Sequence, residues 1–270
     1  MAENNSNGNI GCLVFVFLGL LAMGILLVFV STRSESQCAF IDNIRVVTID
    51  KIQQDYNALD PSVKSSSDPV VVGNYEIKGT ATTTLKTPFS RTPCIRYSYE
   101  LIESYEEYEK DEDTKLREWV KKEHRKPTEE RTRAFDLDDG TGVINVDPDG
   151  ATFFGAQTNV KEVSDGLENE KIPDIHLISN RHEETYMSVE DPITVLGTVY
   201  AWHGTLQMKK APSSFLIVST WNHYNIRLQM DDAGNGQFWA GIIFLILSGI
   251  PVVIVIVSVI RRRKRGVRRG

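Results

Sequence analysis

The chain has 270 residues, a formal net charge of −6 and three cysteines. That length holds at least one ordinary domain, three cysteines do not make a disulfide framework, and an acidic balance argues against nucleic acid as partner, because that affinity rests on neutralised phosphates. The charge is also uneven: residues 261–270 carry +7 and the first nine −1, which leaves −12 on residues 31–237.

Residues 1–9 form a leader with Glu3 and no Lys or Arg, and residues 10–30 then run uncharged for 21 positions. A bilayer core needs about 20 apolar residues in a helix. A cleaved signal peptide is the competing reading, but it calls for a basic start, a shorter apolar stretch and a small-residue cleavage site. An uncleaved membrane anchor is the expected state.

Residues 31–69 read as a membrane-proximal helix and linker. The segment 44–60 predicts a short helix capped by Thr48 or Asp50 and stopped by Pro61, and 62–69 is a polar connector. From Val70 the pattern changes to strands. Residues 70–83 alternate around Gly73 and Gly79. Pro88 and Pro93 bracket a loop, and 94–108 place Ile95, Tyr97, Tyr99 and Leu101 on one face of a half-buried strand. Further strands are expected at 116–124 around Trp119, at 131–137, 142–147, 193–202, 214–220 and 224–230. Short strands parted by Gly, Pro and Asp turns predict a small barrel or sandwich.

Two polar stretches interrupt this pattern. Residues 103–133 hold eleven acidic and nine basic side chains, as a long hairpin or a helix. Its readings are a solvated projecting face or a partner-docking surface. Residues 161–171 read as a flexible polar loop.

Residues 238–260 are uncharged for 23 positions and predict a second span. Arg261, Arg262, Arg263, Lys264, Arg265, Arg268 and Arg269 follow it directly. Clustered basic residues stay on the cytoplasmic side and attract anionic lipid headgroups. The expected architecture is two transmembrane helices flanking a mainly-β, small-barrel or OB-like soluble domain (70–237) with a short N-terminal helix. Both termini are expected in the cytoplasm and the domain outside it, in the cell membrane of a prokaryote. In that compartment a Cys38–Cys94 disulfide is open.

Residues fit for chemistry are sparse. The five histidines, His124, His176, His182, His203 and His223, form no H-E-x-x-H zinc pattern, and no C-x-x-C, G-x-S-x-G or phosphate-binding loop occurs. His182-Glu183-Glu184 reads as a surface turn. Asn145-x-Asp147-x-Asp149-Gly150 opens like a calcium loop, but its twelfth position is Ala156 rather than Glu, so it reads as a turn. Asp136, Asp138 and Asp139 read as flanks of a strand–turn–strand around Asp139-Gly140 and Thr141-Gly142. A diffuse site using His203 or His223 beside strand ends is the remaining enzymatic alternative.

Several motifs fall in a suggestive order: Gly79-Thr80-Ala81; Thr87-Pro88-Phe89-Ser90; Pro93-Cys94-Ile95-Arg96-Tyr97; Trp119; Phe135 through Asp139-Gly140-Thr141-Gly142; Val146-Asp147-Pro148-Asp149-Gly150; and a late strand containing Gly197. Over residues 70–220 this order resembles the GIDE domain, also called BAM ("beside a membrane"). It occurs in mitochondrial RING-type E3 ubiquitin ligases, and similar domains occur in bacteria and archaea. The resemblance implies a domain flanked by two spans. It also implies a RING, which needs eight Cys and His ligands for two zinc ions. Three cysteines, none of them after the second apolar run, do not supply one. These motif residues are fold determinants: Gly79 and Gly197 for a bulge or a close approach, Pro93 for a strand start, Trp119 for a core. No catalytic, cofactor or metal residue is assigned. The expected role is a non-catalytic membrane sensor or interaction module, with membrane lipids and an unidentified protein as partners. The alternative is an accessory subunit of a ligase or protease system.

Overall fold

The computed structural model describes residues 6–110, 117–164, 175–212 and 214–267. They form two compact units, one of Ile44–His223 and one built from the chain ends, up to Asn43 and from Tyr224.

The end unit consists of two long helices, α1 (Ser6–Asn43) and α4 (His223–Val267). Gly24 and Gly241 stand at their contact: a methyl group at Gly24 would lie 2.8 Å from Leu245 Cγ, and one at Gly241 3.0 Å from Val28 Cγ2. Small residues let helix backbones approach closely. At the polar end of this pair Arg227 Nε donates to Asp42 Oδ1 at 2.9 Å, over the buried Cys38, Ile41, Ile226 and Met230.

Among the described residues one helix, Phe17–Asn43, is long and apolar enough to cross a membrane. Two flanking spans are therefore corrected to one candidate span, near the N-terminus. The second apolar run is not a helix of its own. It is the far part of α4, whose opening turns are polar and carry Arg227, Asp231 and Asp232. The assignment of both termini to one side of the membrane rested on that second span. Arg261, Arg262, Arg263, Lys264 and Arg265 prolong the α4 backbone, and Arg268 and Arg269 lie outside the described residues. The expected strand at 224–230 is also helix. Its buried residues, Ile226 and Met230, are four apart, and Leu228 between them, which a strand would put on the same face, is 43% exposed, as a helix requires.

The Ile44–His223 unit is mainly β. It opens with β1 (Arg45–Val46), α2 (Ile49–Asn57) and α3 (Pro61–Lys64). Thr48 caps α2, its hydroxyl accepting from Lys51 N, so the helix begins five residues later than the segment 44–60 suggested. Asp60 caps α3, with Pro61 at the first helical position. The strands are β2 (Val70–Thr82), β3 (Cys94–Lys110), β4 (Arg117–Arg125), β5 (Glu129–Thr132), β6 (Phe135–Asp138), β7 (Val143–Val146), β8 (Thr152–Phe154), β9 (Gln157–Val163), β10 (Ile175–Ser188), β11 (Ile193–Trp202), β12 (Thr205–Lys209) and β13 (Ile217–Ser219).

Five of them close a barrel in the order β2-β6-β7-β12-β11 and back to β2. All its pairs are antiparallel except β7–β12. Residues of period two fill it, among them Tyr75, Ile77, Phe135, Leu137, Ile144, Val146, Val195, Val199 and Met208. Ile49 and Ile52 of α2 join this core. Tyr75 also ties α2 to the barrel, donating to Asp55 Oδ2 at 2.9 Å. Gly79 and Gly197 serve the close approaches expected of them: a methyl at Gly79 would stand 2.4 Å from the Asp138 carbonyl oxygen, and one at Gly197 2.6 Å from Leu216 Cδ1.

The second sheet runs β4-β3-β10-β9, with β5 also on β3. The charged run 103–133 is thus mostly a hairpin of long strands and not a helix. The single strand expected at 131–137 is two: β5 stays on the long sheet and β6 enters the barrel, with Arg133 N still bonded to Ile95 O at 3.2 Å. Lys161–Val163, expected in a loop, end β9 as its pairing with β10 dictates. Residues 165–171 of that expected loop lie outside the described residues.

Candidate functional site

The polar side chains with the most unusual settings gather on one face of the long sheet, under the loop between β2 and β3. His182-Glu183-Glu184, expected at a surface turn, is in the middle of β10, where Glu184 pairs with Tyr99 and His182 with Leu101. Strand alternation therefore sends His182 and Glu184 to the same face as Tyr97 and Tyr99. The loop lies over that face because its own residues fold it back. Thr87 Oγ1 and Ser90 Oγ share a hydrogen bond at 2.8 Å, Ser90 Oγ and Thr92 Oγ1 one at 2.9 Å, and Cys94 N donates to Leu85 O at 3.0 Å.

Glu184 is buried and its carboxylate is occupied. Phe89 N–H donates to Oε1 at 2.6 Å, and Ser90 N–H reaches Oε1 and Oε2 at 3.2 and 3.1 Å. The Phe89 ring stacks on His182, centroids 3.9 Å apart and planes 13° from parallel. Lys161 stands 5.6 Å from the centre of the same ring. His182 Nδ1 and the Tyr99 hydroxyl share a hydrogen bond of 2.9 Å. Burial pushes the His182 imidazole below its ordinary pKa; the Glu184 charge opposes this and the Lys161 charge adds to it.

Cys94 starts β3, as Pro93 before it allows, and is fully buried. Burial, with the Glu184 charge added, pushes its thiol up to about 11. A thiol so placed is protonated at neutral pH, and the nucleophile is the thiolate. Neither Cys94 nor Cys38 is in a disulfide. Tyr97 donates to Glu129 Oε1 at 2.8 Å, across the β3–β5 pair. Every polar group of this cluster thus fixes the loop or the sheet.

A second group surrounds Asp139, where β6 turns into β7. Oδ2 accepts the Ile49 N–H at 2.8 Å, and Oδ1 accepts from Thr141 N and Gly142 N at 2.9 and 3.2 Å. Burial works to raise this carboxyl, but these donors prevail and hold it below the usual carboxylate range. Gly140 adopts φ 83° and Gly142 leaves room for Ile49 Cγ2, which a methyl there would meet at 3.0 Å. Asp136 accepts from Asn145 Nδ2 at 2.9 Å, and Asp138 from Gly140 N at 2.7 Å. Asp138 and Asp139 are turn and cap residues, and Asp136 is a strand residue bonded across the β6–β7 pair.

The other motif residues are spread through the fold. Ala81 is in the barrel core, Pro88 is in the loop over Glu184, and Pro148 accepts from Ala151 N at 3.0 Å in the turn closed by Gly150, φ 67°. Trp119 corrects its expected core role: it lies on β4, 44% exposed, against Tyr108 and His176. His203 sits at the β11–β12 turn with φ 49°, and His223 Nδ1 bonds the buried Glu76 Oε2 at 2.6 Å. Among the described residues no group of three or more His, Cys, Asp or Glu is placed to hold a metal ion. The sequence reading missed Glu76 and Glu184. A period-two count through 175–188 marks Glu184 as sharing a face with His182 and Tyr186, but says nothing of the loop that covers it.

Comparison with family models matches residues 104–255, more than half of the chain, to the family described as "GIDE: E3 Ubiquitin ligase". The match takes in Trp119, the Asp139 turn, Pro148, Gly150 and Gly197; the loop over Glu184 precedes it. Comparison with curated proteins and with solved structures finds no match.

Proposed function

We propose that this chain, which belongs to the GIDE family, is a membrane-anchored interaction module associated with ubiquitin-ligase machinery, and that it transfers no ubiquitin itself. The observation that carries this reading is the use to which the reactive-looking side chains are put. Glu184 is consumed by backbone N–H groups of the 85–93 loop, His182 by Phe89 and Tyr99, and the Cys94 thiol is held protonated. A ubiquitin thioester needs an accessible thiolate, and a RING-type mechanism needs its zinc ligands. The family description favours the association with ligases. The apolar stretch Phe17–Asn43 supplies the anchor, and the long sheet supplies a surface.

The full chain in detergent, incubated with activating enzyme, a panel of conjugating enzymes, ubiquitin and ATP, is expected to form no conjugates by itself. In cells, crosslinking through the long sheet is expected to retrieve a protein of the ubiquitin system, and the chain is expected to remain in membranes under alkaline carbonate. Conjugation by the purified chain, abolished by Cys94→Ser, would overturn the non-catalytic reading. Release by carbonate would overturn the anchor.

A further inference from the structure

The long sheet ends at β4, whose outer edge pairs with no other strand among the described residues. An open edge is a template for another strand, and the order of side chains along this one is self-complementary. About Val120 as a two-fold centre, antiparallel pairing with a second β4 sets Glu118 opposite Lys122 and Trp119 opposite Lys121, each twice, with Val120 opposite Val120. Opposite charges across a strand pair stabilise it, and like charges directly opposite destabilise it. A slip of one residue sets Glu118 against Glu123 in one direction and Arg117 against Lys122 in the other, so like charges disfavour both neighbouring registers.

Features within one chain agree. Glu118 pairs in register with Glu109 of β3, so two carboxylates face each other there, and Glu118 is exposed with no ion-pair partner among the described residues. Lys122 is held by Glu107 at 2.8 Å and also by Glu109, which fixes its ammonium on the face that Glu118 shares. Trp119 is packed on one side by Tyr108 and His176 and remains 44% exposed. An indole face so placed accepts a cation such as Lys121 of another copy.

We propose that β4 is a homodimerisation edge, and that two copies of this chain join their long sheets antiparallel with Val120 on the two-fold axis. The occupant is a second copy, since the complementarity is of the strand with itself.

The test uses the full chain in detergent and in native membranes. Cβ atoms directly opposite in an antiparallel pair are about 4.5–5.5 Å apart, close to disulfide reach. Val120→Cys is expected to crosslink into a dimer under mild oxidant. Glu118→Cys, on the same exposed strand but displaced from its own copy across the axis, is expected not to. Glu118→Lys faces Lys122 of the other copy and is expected to weaken association about tenfold. It also relieves the clash with Glu109, so the hairpin stays folded. Combining it with Lys122→Glu, in a background of Glu107→Gln and Glu109→Gln that removes the carboxylates of its own chain from the new one, is expected to restore the dimer. A monomeric wild type by light scattering, equal crosslinking of both cysteine variants, or no recovery in the charge swap would each overturn the proposal. These outcomes leave the anchored-module reading untouched.

Discussion

The backbone N–H of Phe89 donates to Glu184 Oε1 at 2.6 Å, although the two residues are 95 positions apart. This bond joins a loop of the barrel strand β2 to the centre of the long sheet. It explains how a carboxylate is buried in a β-sheet: backbone donors replace its water.

Removing that carboxylate leaves the N–H groups of the half-buried Phe89 and the exposed Ser90 without their acceptor. Glu184→Ala is expected to cost about 1–3 kcal/mol in denaturant unfolding, because hydrogen bonds to a charged acceptor are lost and water replaces them only in part. Glu184→Gln keeps an acceptor and is expected to cost less. Trypsin is expected to cut after Arg91 sooner in the alanine variant than in wild type, since the loop is no longer tied down.

Stability of the Ile44–His223 unit is expected to fall on acidification from pH 7.5 to pH 5. The His182 pKa is lowered from 6.5 by burial, so the unfolded chain binds this proton more readily than the folded one. Stability from this group is complete above pH 6.5 and declines as pH falls below it toward the folded-state value. Protonation also sets a cation beside Lys161. His182→Phe is expected to flatten the decline, read as the urea midpoint at the two pH values.

Asp139 has the opposite charge and a lower window. Its carboxyl is depressed in the folded state, so its contribution is present above the unfolded value of 3.8 and disappears as pH drops through the lower folded one. Asp139→Ala is expected to cost about 1–2 kcal/mol at neutral pH, as loss of a helix cap does. Loss of helical circular dichroism and of Ile49 amide protection would report it.

The two strand glycines are expected to differ. At Gly79 a new methyl meets the backbone carbonyl of Asp138 at 2.4 Å, and backbone in a barrel has nowhere to go. At Gly197 it meets the ends of the Leu216 and Met208 side chains at 2.6 and 3.2 Å, which rotate. Both substitutions to Ala overpack, at about 1–3 kcal/mol. Gly79→Ala is expected to be the costlier by thermal denaturation.

Cys94 is expected to resist alkylation by iodoacetamide at pH 8 in the folded chain and to react fully in urea, mapped on its own peptide. Its pKa of about 11 leaves almost no thiolate. Rapid modification in the native protein would contradict the burial that defines the loop site.

Local order was legible in the sequence wherever it depends on neighbours in the chain. Thr48 as a cap, Pro93 before a strand, the Gly140 turn and the strand at 193–202 are short-range features, set by backbone sterics and residue type. The same reasoning failed where two periods overlap, at Tyr224 to Met230, and where strands change sheets, at Arg133. It also mistook the far part of a long helix for an independent span. Tertiary structure alone decided which loop covers Glu184, because burial of a strand residue depends on what is brought over it from 95 positions away. It likewise decided that Trp119 faces outward on an edge. Hydrophobicity states what a side chain prefers; only the assembled sheet determines whether there is anything to bury it against.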